Sequence, residues 1–215
     1  MSVSGTDVKL IFKMKKLSIF LVLVFVVTFN SFSQNAEQEI RKVVIEYLNY
    51  GATNNFSKAA EYLPDGYFDV FSKEKYLKTL EERINNSNIE VKVSDFKIIE
   101  VSKIEKINEK YYSIVTFSFL MKIKVNIEEI AKELGVKIDE EIYDMLVERM
   151  VFEVEKELKK ENVKYNKETD LFVVVKKNVV VSKNGITDWK FIDIDESGEK
   201  TLLKKFVPKE ILKQL

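Results

Sequence analysis

The 215-residue chain predicts an α+β domain in which N-terminal helices lie on a curved antiparallel sheet, with a helical insertion between strands. Three observations carry that expectation. Between Glu37 and Ile84 the apolar residues recur at the spacing of an α-helix, and from Ile89 onward they recur at every second residue. Ser182-Lys183-Asn184-Gly185 then joins two runs rich in β-branched and aromatic residues, and Asn-Gly in that setting is a strong hairpin signal. Residues 126–162 return to helical spacing and split the strands.

The first 33 residues read as an address. Met14-Lys15-Lys16 is a basic start, Leu17 to Phe29 is apolar apart from Ser18 and Thr28, and Ser31-Phe32-Ser33 offers small residues for cleavage before Gln34. That order is the pattern of a secretory signal peptide, and the apolar run is short for a span that needs about 20 apolar residues. An uncleaved anchor is the competing reading. The polar stretch ahead of Met14 marks Met14 as the expected start. Removing residues 1–33 takes away Lys9, Lys13, Lys15, Lys16 and Asp7 and leaves a net charge of −3, with residues 34–215 as one domain.

Within that domain, Ile40, Val43, Val44, Tyr47, Leu48 and Gly51 mark the first helix, Glu37–Tyr50, stopped by Asn54-Asn55. Phe56, Ala59, Ala60 and Leu63 mark a short second helix, and Pro64-Asp65-Gly66 predicts a type I turn with Pro64 at its second position. Tyr67, Phe68, Val70 and Phe71 form an apolar knot. Ser72 is the N-cap expected for a third helix with Tyr76, Leu77, Leu80 and Ile84 on one face, broken by Asn85-Asn86-Ser87-Asn88. Ile89, Val91 and Val93 begin a strand whose alternation slips near Asp95, which predicts a bulge; the strand extends as far as Ile104. After a turn at Ile107-Asn108-Glu109, Val115, Phe117, Phe119, Met121, Ile123 and Val125 give the inward face of a second strand. In the insertion, Ile127 to Leu134 is a weak helix ending at Gly135, and Ile138, Ile142, Leu146, Met150, Val154 and Leu158 form the row of a stronger one. Strands resume at Leu171 to Val181 and Ile186 to Ile194, and Leu202 to Leu215 reads as a closing helix with Pro208 in its first turn.

Composition removes many chemistries. The chain has no Cys and no His. Disulfides, thiolate nucleophiles, thiolate-held metals and a lipoprotein anchor are therefore excluded, as are His-dependent triads and imidazole ligands. Six glycines supply neither G-x-G-x-x-G nor G-x-x-x-x-G-K-[ST]. With 35 basic and 35 acidic residues interleaved, no basic footprint for nucleic acid emerges. Lys103, Lys106, Lys110, Lys122, Lys124, Lys159, Lys160, Lys176 and Lys177 read as solvated faces.

Several stretches resemble the nuclear transport factor 2-like (cystatin-like) fold, in which a helical lid covers a cone-shaped sheet. They are the helix Glu37–Tyr50, the short helix Phe56–Leu63 ending in Pro64, the helix start Ser72-Lys73-Glu74 and the aromatic strand Asp188-Trp189-Lys190-Phe191-Ile192. More narrowly, Lys160-Glu161-Asn162-Val163-Lys164-Tyr165, Trp189-Lys190-Phe191, Leu202-Leu203 and Phe206-Val207-Pro208 are similar to small secreted proteins of Bacteroidota. The resemblance spans nearly all of residues 35–215 and implies a fold and no particular activity.

Four features carry candidate chemistry. The first is a pocket between lid and sheet, lined by Tyr47, Tyr62, Tyr67 and Trp189, with Asp69 or Asp95 as a desolvated carboxylate; a filled core is its competitor. The second is Asp193-Ile194-Asp195-Glu196-Ser197-Gly198, which begins like a calcium loop but places Lys204 where a chelating Glu belongs. The third is the 138–158 helix as a partner-binding row, beside the ordinary alternative that it packs on its own sheet. The fourth is the sheet face carrying Thr116 and Ser118, which a second copy would cover in an oligomeric scaffold. Together they lead to an exported protein that binds a small ligand or protein partner in the periplasm or outside the cell. No catalytic residue, cofactor or metal is expected, and no membrane contact beyond the leader. The rival expectation is a His-free isomerase or dehydratase using a Tyr and a carboxylate.

Overall fold

The computed structural model describes residues 34–69, 72–85, 89–126, 131, 132, 135, 139–193 and 205–215. The leader, Val70-Phe71, Asn86-Ser87-Asn88, most of the weak helix Ile127–Leu134 and the calcium-like stretch from Ile194 onward lie outside those residues. The protein is α+β, and the described residues form six antiparallel strands in one open sheet.

Helix α1 covers 34–52 and buries Ala36, Ile40, Val43 and Val44, the row that the helical spacing selects. Asn54 closes it in the left-handed conformation (φ 58°), with Asn55 N donating to Tyr50 O at 2.8 Å and Asn54 N to Gly51 O at 3.1 Å. Those two bonds are a Schellman stop, and Asn tolerates the conformation better than most residues. Asn55 then caps α2 (Phe56–Ala59) by accepting from Lys58 N, and a 3₁₀ turn continues over Ala60–Tyr62. The turn after it is displaced from the expected one. Tyr67 N donates to Pro64 O at 3.0 Å, so Pro64 opens the turn and Gly66, at φ 77°, takes its left-handed third position. A second 3₁₀ turn is Tyr67–Asp69, and α3 (Lys73–Asn85) starts where Ser72 Oγ accepts from Lys75 N.

The strands are β1 (Ile89–Val101), β2 (Glu105–Ile107), β3 (Lys110–Val125), β4 (Val163–Asn166), β5 (Leu171–Ser182) and β6 (Lys190–Ile192). β3 and β5 are the central pair. β1 and β2 lie end to end along one side of β3, and β4 and β6 lie along the other side of β5. The bulge expected near Asp95 is present: pairing with β3 shifts between Ser94 and Lys97, and Asp95 has φ 54°. β1 stops at Val101, short of Ile104. There the Ser102 hydroxyl accepts from Ile114 N and the Ser113 hydroxyl donates to Ser102 O, which kinks the edge before β2. Asn108 (φ 48°) and Glu109 (φ 64°) form the two-residue β2–β3 turn, both left-handed as a type I′ turn requires.

Alternation fixes two faces. Val115, Phe117, Phe119 and Met121 of β3 share the inner face with Phe172, Val174, Asn178 and Val180 of β5. α1 covers one half of it over Val115, Phe117, Val180, Trp189 and Phe191. Helix α4 (Glu140–Glu157), capped by Asp139, reaches the other half through Met150, Val151 and Val154, with Leu158 just beyond, over Met121, Val163, Phe172 and Val174. Tyr112, Ile114, Val179, Val181 and Ile192 face outward and are covered at one end by Val207 and by Ile211 of α5 (Lys209–Leu212). Pro208 is the N-cap of α5 and not a first-turn residue: its ψ of 152° is extended, and its carbonyl accepts from Ile211 N and Leu212 N.

The last strand is shorter than the run Ile186–Ile194 suggests, because Asn184-Gly185 sits inside a wider loop. Ser182 Oγ accepts from Gly185 N and donates to Thr187 O, while Asn184 Oδ1 accepts from Ile186 N and Thr187 N. These side-chain bonds take the place of a ladder between residues 183 and 189.

Candidate functional site

The apolar inner face of β5 is interrupted at two positions. Val174 belongs to the half under α4 and Val180 to the half under α1; Lys176 and Asn178 lie between them on the same face. β4 pairs only with Leu171–Val174 and β6 only with Val179–Val181, so neither neighbour strand reaches 175–178. Asn178 is nonetheless 2% exposed. Continuing the β5–β6 register by one pair sets Asp193 opposite it, and Asn178 Nδ2 donates to Asp193 Oδ1 at 3.2 Å. That bond fixes the carboxamide, since the reverse orientation would set two acceptors against each other. The consequence is a buried Asn178 Oδ1 with no hydrogen-bond partner among the described residues. A buried acceptor left unpaired costs about 1–3 kcal/mol, so the position selects for a donor.

Aromatic side chains gather near Asp193, the partner of Asn178. Tyr47 extends the buried row of α1 and stacks on Phe191, with ring centroids 4.2 Å apart. Burial drives its phenol well above the ordinary range, and the Asp193 carboxylate adds to the effect, with Tyr76 and Tyr67 contributing after it. The Tyr47 phenol is therefore neutral and able to donate at neutral pH. Tyr67 lies against Tyr76 and Phe206, each with centroids 6.0 Å away. Tyr47 of α1, Phe191 of β6, Asp193 and Asn178 thus make one cluster that holds one carboxylate, one carbonyl unpaired among the described residues and one neutral phenol. Such a set accepts hydrogen bonds from a hydroxyl, amide or amine on an otherwise apolar molecule.

Of the residues singled out in the sequence, Tyr47 lies here, and Tyr67 is near enough to push its phenol up further. Trp189 supports the floor: it is 1% exposed, and its indole donates to Ile186 O at 3.3 Å. Tyr62 points elsewhere, donating to Glu46 Oε2 at 2.9 Å; burial and that carboxylate push its phenol up to about 12. Asp69 is exposed, beside Gly66. Asp95 is exposed too, on the bulge of β1 across the sheet, where it accepts from Ser94 Oγ. Neither Asp69 nor Asp95 is a desolvated carboxylate facing Tyr47. Tyr62–Glu46 and Tyr165–Asp170 are hydrogen-bonded Tyr–carboxylate pairs.

Sequence reasoning passed over Asn178, Glu46 and Tyr76, and considered Asp193 only as a calcium ligand. Asn178 carried a usable signal: it shares the parity of Phe172, Val174 and Val180, where Lys176 is the one other polar residue. Among the described residues no three acidic groups gather to hold a metal ion, and no helix is long and apolar enough to cross a membrane. No family model matches the chain, and no curated protein or solved structure is significantly similar to it.

Proposed function

We propose that the protein is exported and works in the cell envelope by binding rather than catalysis. Its domain, on this reading, is a nuclear transport factor 2-like cone with α1 as the lid, and it holds a small, mainly apolar ligand that donates a hydrogen bond to Asn178 Oδ1. The observation that carries the reading is that buried carbonyl oxygen, unpaired among the described residues, on a side chain bonded to Asp193, whose carboxylate acts on the Tyr47 phenol. Supporting it are the order of elements, with helices before the antiparallel sheet, and the late aromatic strand seated under α1. The basic-then-apolar start and the Ser31-Phe32-Ser33 exit support export. The exposure of Asp69 and Asp95 argues against acid–base catalysis by either.

The test is native mass spectrometry of the protein purified from cells translating the whole reading frame. The expected result is a chain beginning at Gln34 that retains a small-molecule adduct, with the adduct lost in N178V. Valine removes both the acceptor and the polar requirement. An uncleaved chain would refute a cleaved leader and leave the retained anchor. Adduct-free wild type, together with an N178V variant that is simply more stable, would reduce Asn178 to a structural defect and end the ligand reading.

A further inference from the structure

The outer face of the sheet is covered at one end only. Val207 and α5 reach Tyr112, Ile114, Val179, Val181 and Ile192, and beyond them Leu171, Val173 and Val175 of β5 continue the same face. Leu120 of β3 lies opposite Val173, which is 40% exposed. An antiparallel sheet can leave one face to water, but alternation then makes that face polar, and here it is aliphatic. Lysines flank the strip. Lys97 pairs with Ser118, the cross-strand neighbour of Val175, Lys164 pairs with Val173, and Lys177 follows Val175 on the same face. All three are exposed, and none has an ion pair among the described residues.

The outward side of α4 has the complementary character. Met145 and Phe152 stand two turns apart on it, 58% and 55% exposed. Glu141, Asp144 and Glu148 recur at helical spacing in a ridge beside them, and none of the three has a basic partner among the described residues. The helix carries seven acids against two bases, and both bases, Arg149 and Lys156, already bridge to Glu153. Lengths agree as well as charges. Met145 to Phe152 spans about 10 Å at the helical rise. Leu171 to Val175 spans about 13 Å at the strand rise. Two α4 rows packed on each other would set acid against acid, and two outer faces would set base against base. The crossed pairing, helix on sheet, joins opposite charges around an apolar centre.

We propose that the outward side of α4 in one copy of this chain seats on the outer sheet face of a second copy, with Met145 and Phe152 against Leu120 and Val173. α4 covers the inner face of its own sheet, so the two surfaces look in opposite directions. Two copies therefore share one such contact and leave one of each surface open, and further copies add head to tail. Each contact is small, of the weak class that forms at high protein concentration, so dilute chains unfold as monomers. The second copy is what covers the face carrying Thr116 and Ser118, and the contact is independent of the Asn178 site.

The experiment is sedimentation velocity across a concentration series, on protein purified from cells translating the whole reading frame. The wild type gives a mean mass that keeps rising past the dimer. E141K/E148K and K97E/K164E each sediment as monomers, because each sets like charges across the contact. Mixing the two restores assembly, since an unaltered helix then meets an unaltered sheet face; the mixture also shows that both variants are folded. Because the chain has no Cys, single cysteines give a second readout. A short thiol-reactive crosslinker joins M145C to V173C into a covalent dimer, while either variant alone stays single. A wild type that is monomeric at its highest soluble concentration overturns the proposal. Assembly that survives K97E/K164E, or M145C that crosslinks to itself, overturns it in favour of helix on helix. Assembly that survives E141K/E148K overturns it in favour of sheet on sheet.

Discussion

Two helices lie on the same face of one sheet, and they are held to very different depths. α1 sinks into its half: Ile40 and Val44 are fully buried over Trp189, Phe191 and Phe117. α4 carries an equally regular apolar row yet has no fully buried residue, and Tyr143, Met145, Leu146 and Phe152 face outward. The difference lies in what the sheet offers. Under α1 the central strands are flanked by β6 and by the aromatic turn that delivers Trp189, so a wide floor closes round the helix. Under α4 the outer neighbour is the four-residue β4. Amphipathic spacing shows which side of a helix turns inward. How far it sinks depends on the breadth of the partner surface.

The largest test of that contrast is a matched pair of truncations. I40A should lower unfolding free energy by about 2–5 kcal/mol, the cost of a cavity in a close-packed site. M145A, 58% exposed on α4, should stay within about 0.5 kcal/mol. Urea denaturation with an unchanged m-value reads both. Equal costs would mean that the outward row of α4 is covered in solution and that the two halves do not differ.

Two glycines sharpen the same contrast at smaller scale. Gly185 (φ 75°) lies in the loop feeding β6, and a Cβ there would come within 2.6 Å of the Tyr111 ring. Gly135 (φ 65°) precedes α4 and would place its Cβ in open space. Alanine pays roughly 1–2 kcal/mol at either site for the left-handed backbone. Only G185A must also push an aromatic ring aside, a further cost of about 1–3 kcal/mol. Thermal melts of the two variants should therefore separate clearly, G185A being the lower; coincident melts would show that Tyr111 yields without penalty.

The fold class, the Asn54 stop, the Ser72 cap and the bulge at Asp95 were legible because each rests on local backbone chemistry. The site was less so, for a reason of register. A two-residue loop at Asn184-Gly185 would have paired Asp193 with Lys176, an ordinary surface ion pair. The wider loop, held by Ser182 and Asn184 side chains, moves the ladder by one pair on the same face and sets Asp193 against buried Asn178. No periodicity reveals such a shift, because parity is unchanged by a slip of two residues. Likewise, Asp69 and Asp95 looked equivalent to Asp193 as isolated carboxylates, and only the long-range pairing separates them.

The finest comparison sets two turns at the two halves of the sheet against each other. Glu109 and Asp170 are both left-handed, at φ 64° and 54°. Glu109, in the β2–β3 turn, offers only a solvent-exposed pair with Lys106, worth little, so E109G should relieve the backbone and stabilise by about 0.5–1 kcal/mol. Asp170 accepts the Tyr165 hydroxyl at 2.9 Å and lies near Lys122. D170G gains the same backbone relief but strands a phenol against Phe172, losing a charge-assisted bond worth about 1.5–3 kcal/mol, so it should give no gain and a net loss. Opposite signs in chemical denaturation would show that the half under α4, though shallowly covered, depends on side-chain hydrogen bonds that the half under α1 replaces with buried aromatic surface. A gain in both variants would mean that the Tyr165–Asp170 bond contributes little and that strain alone governs both turns.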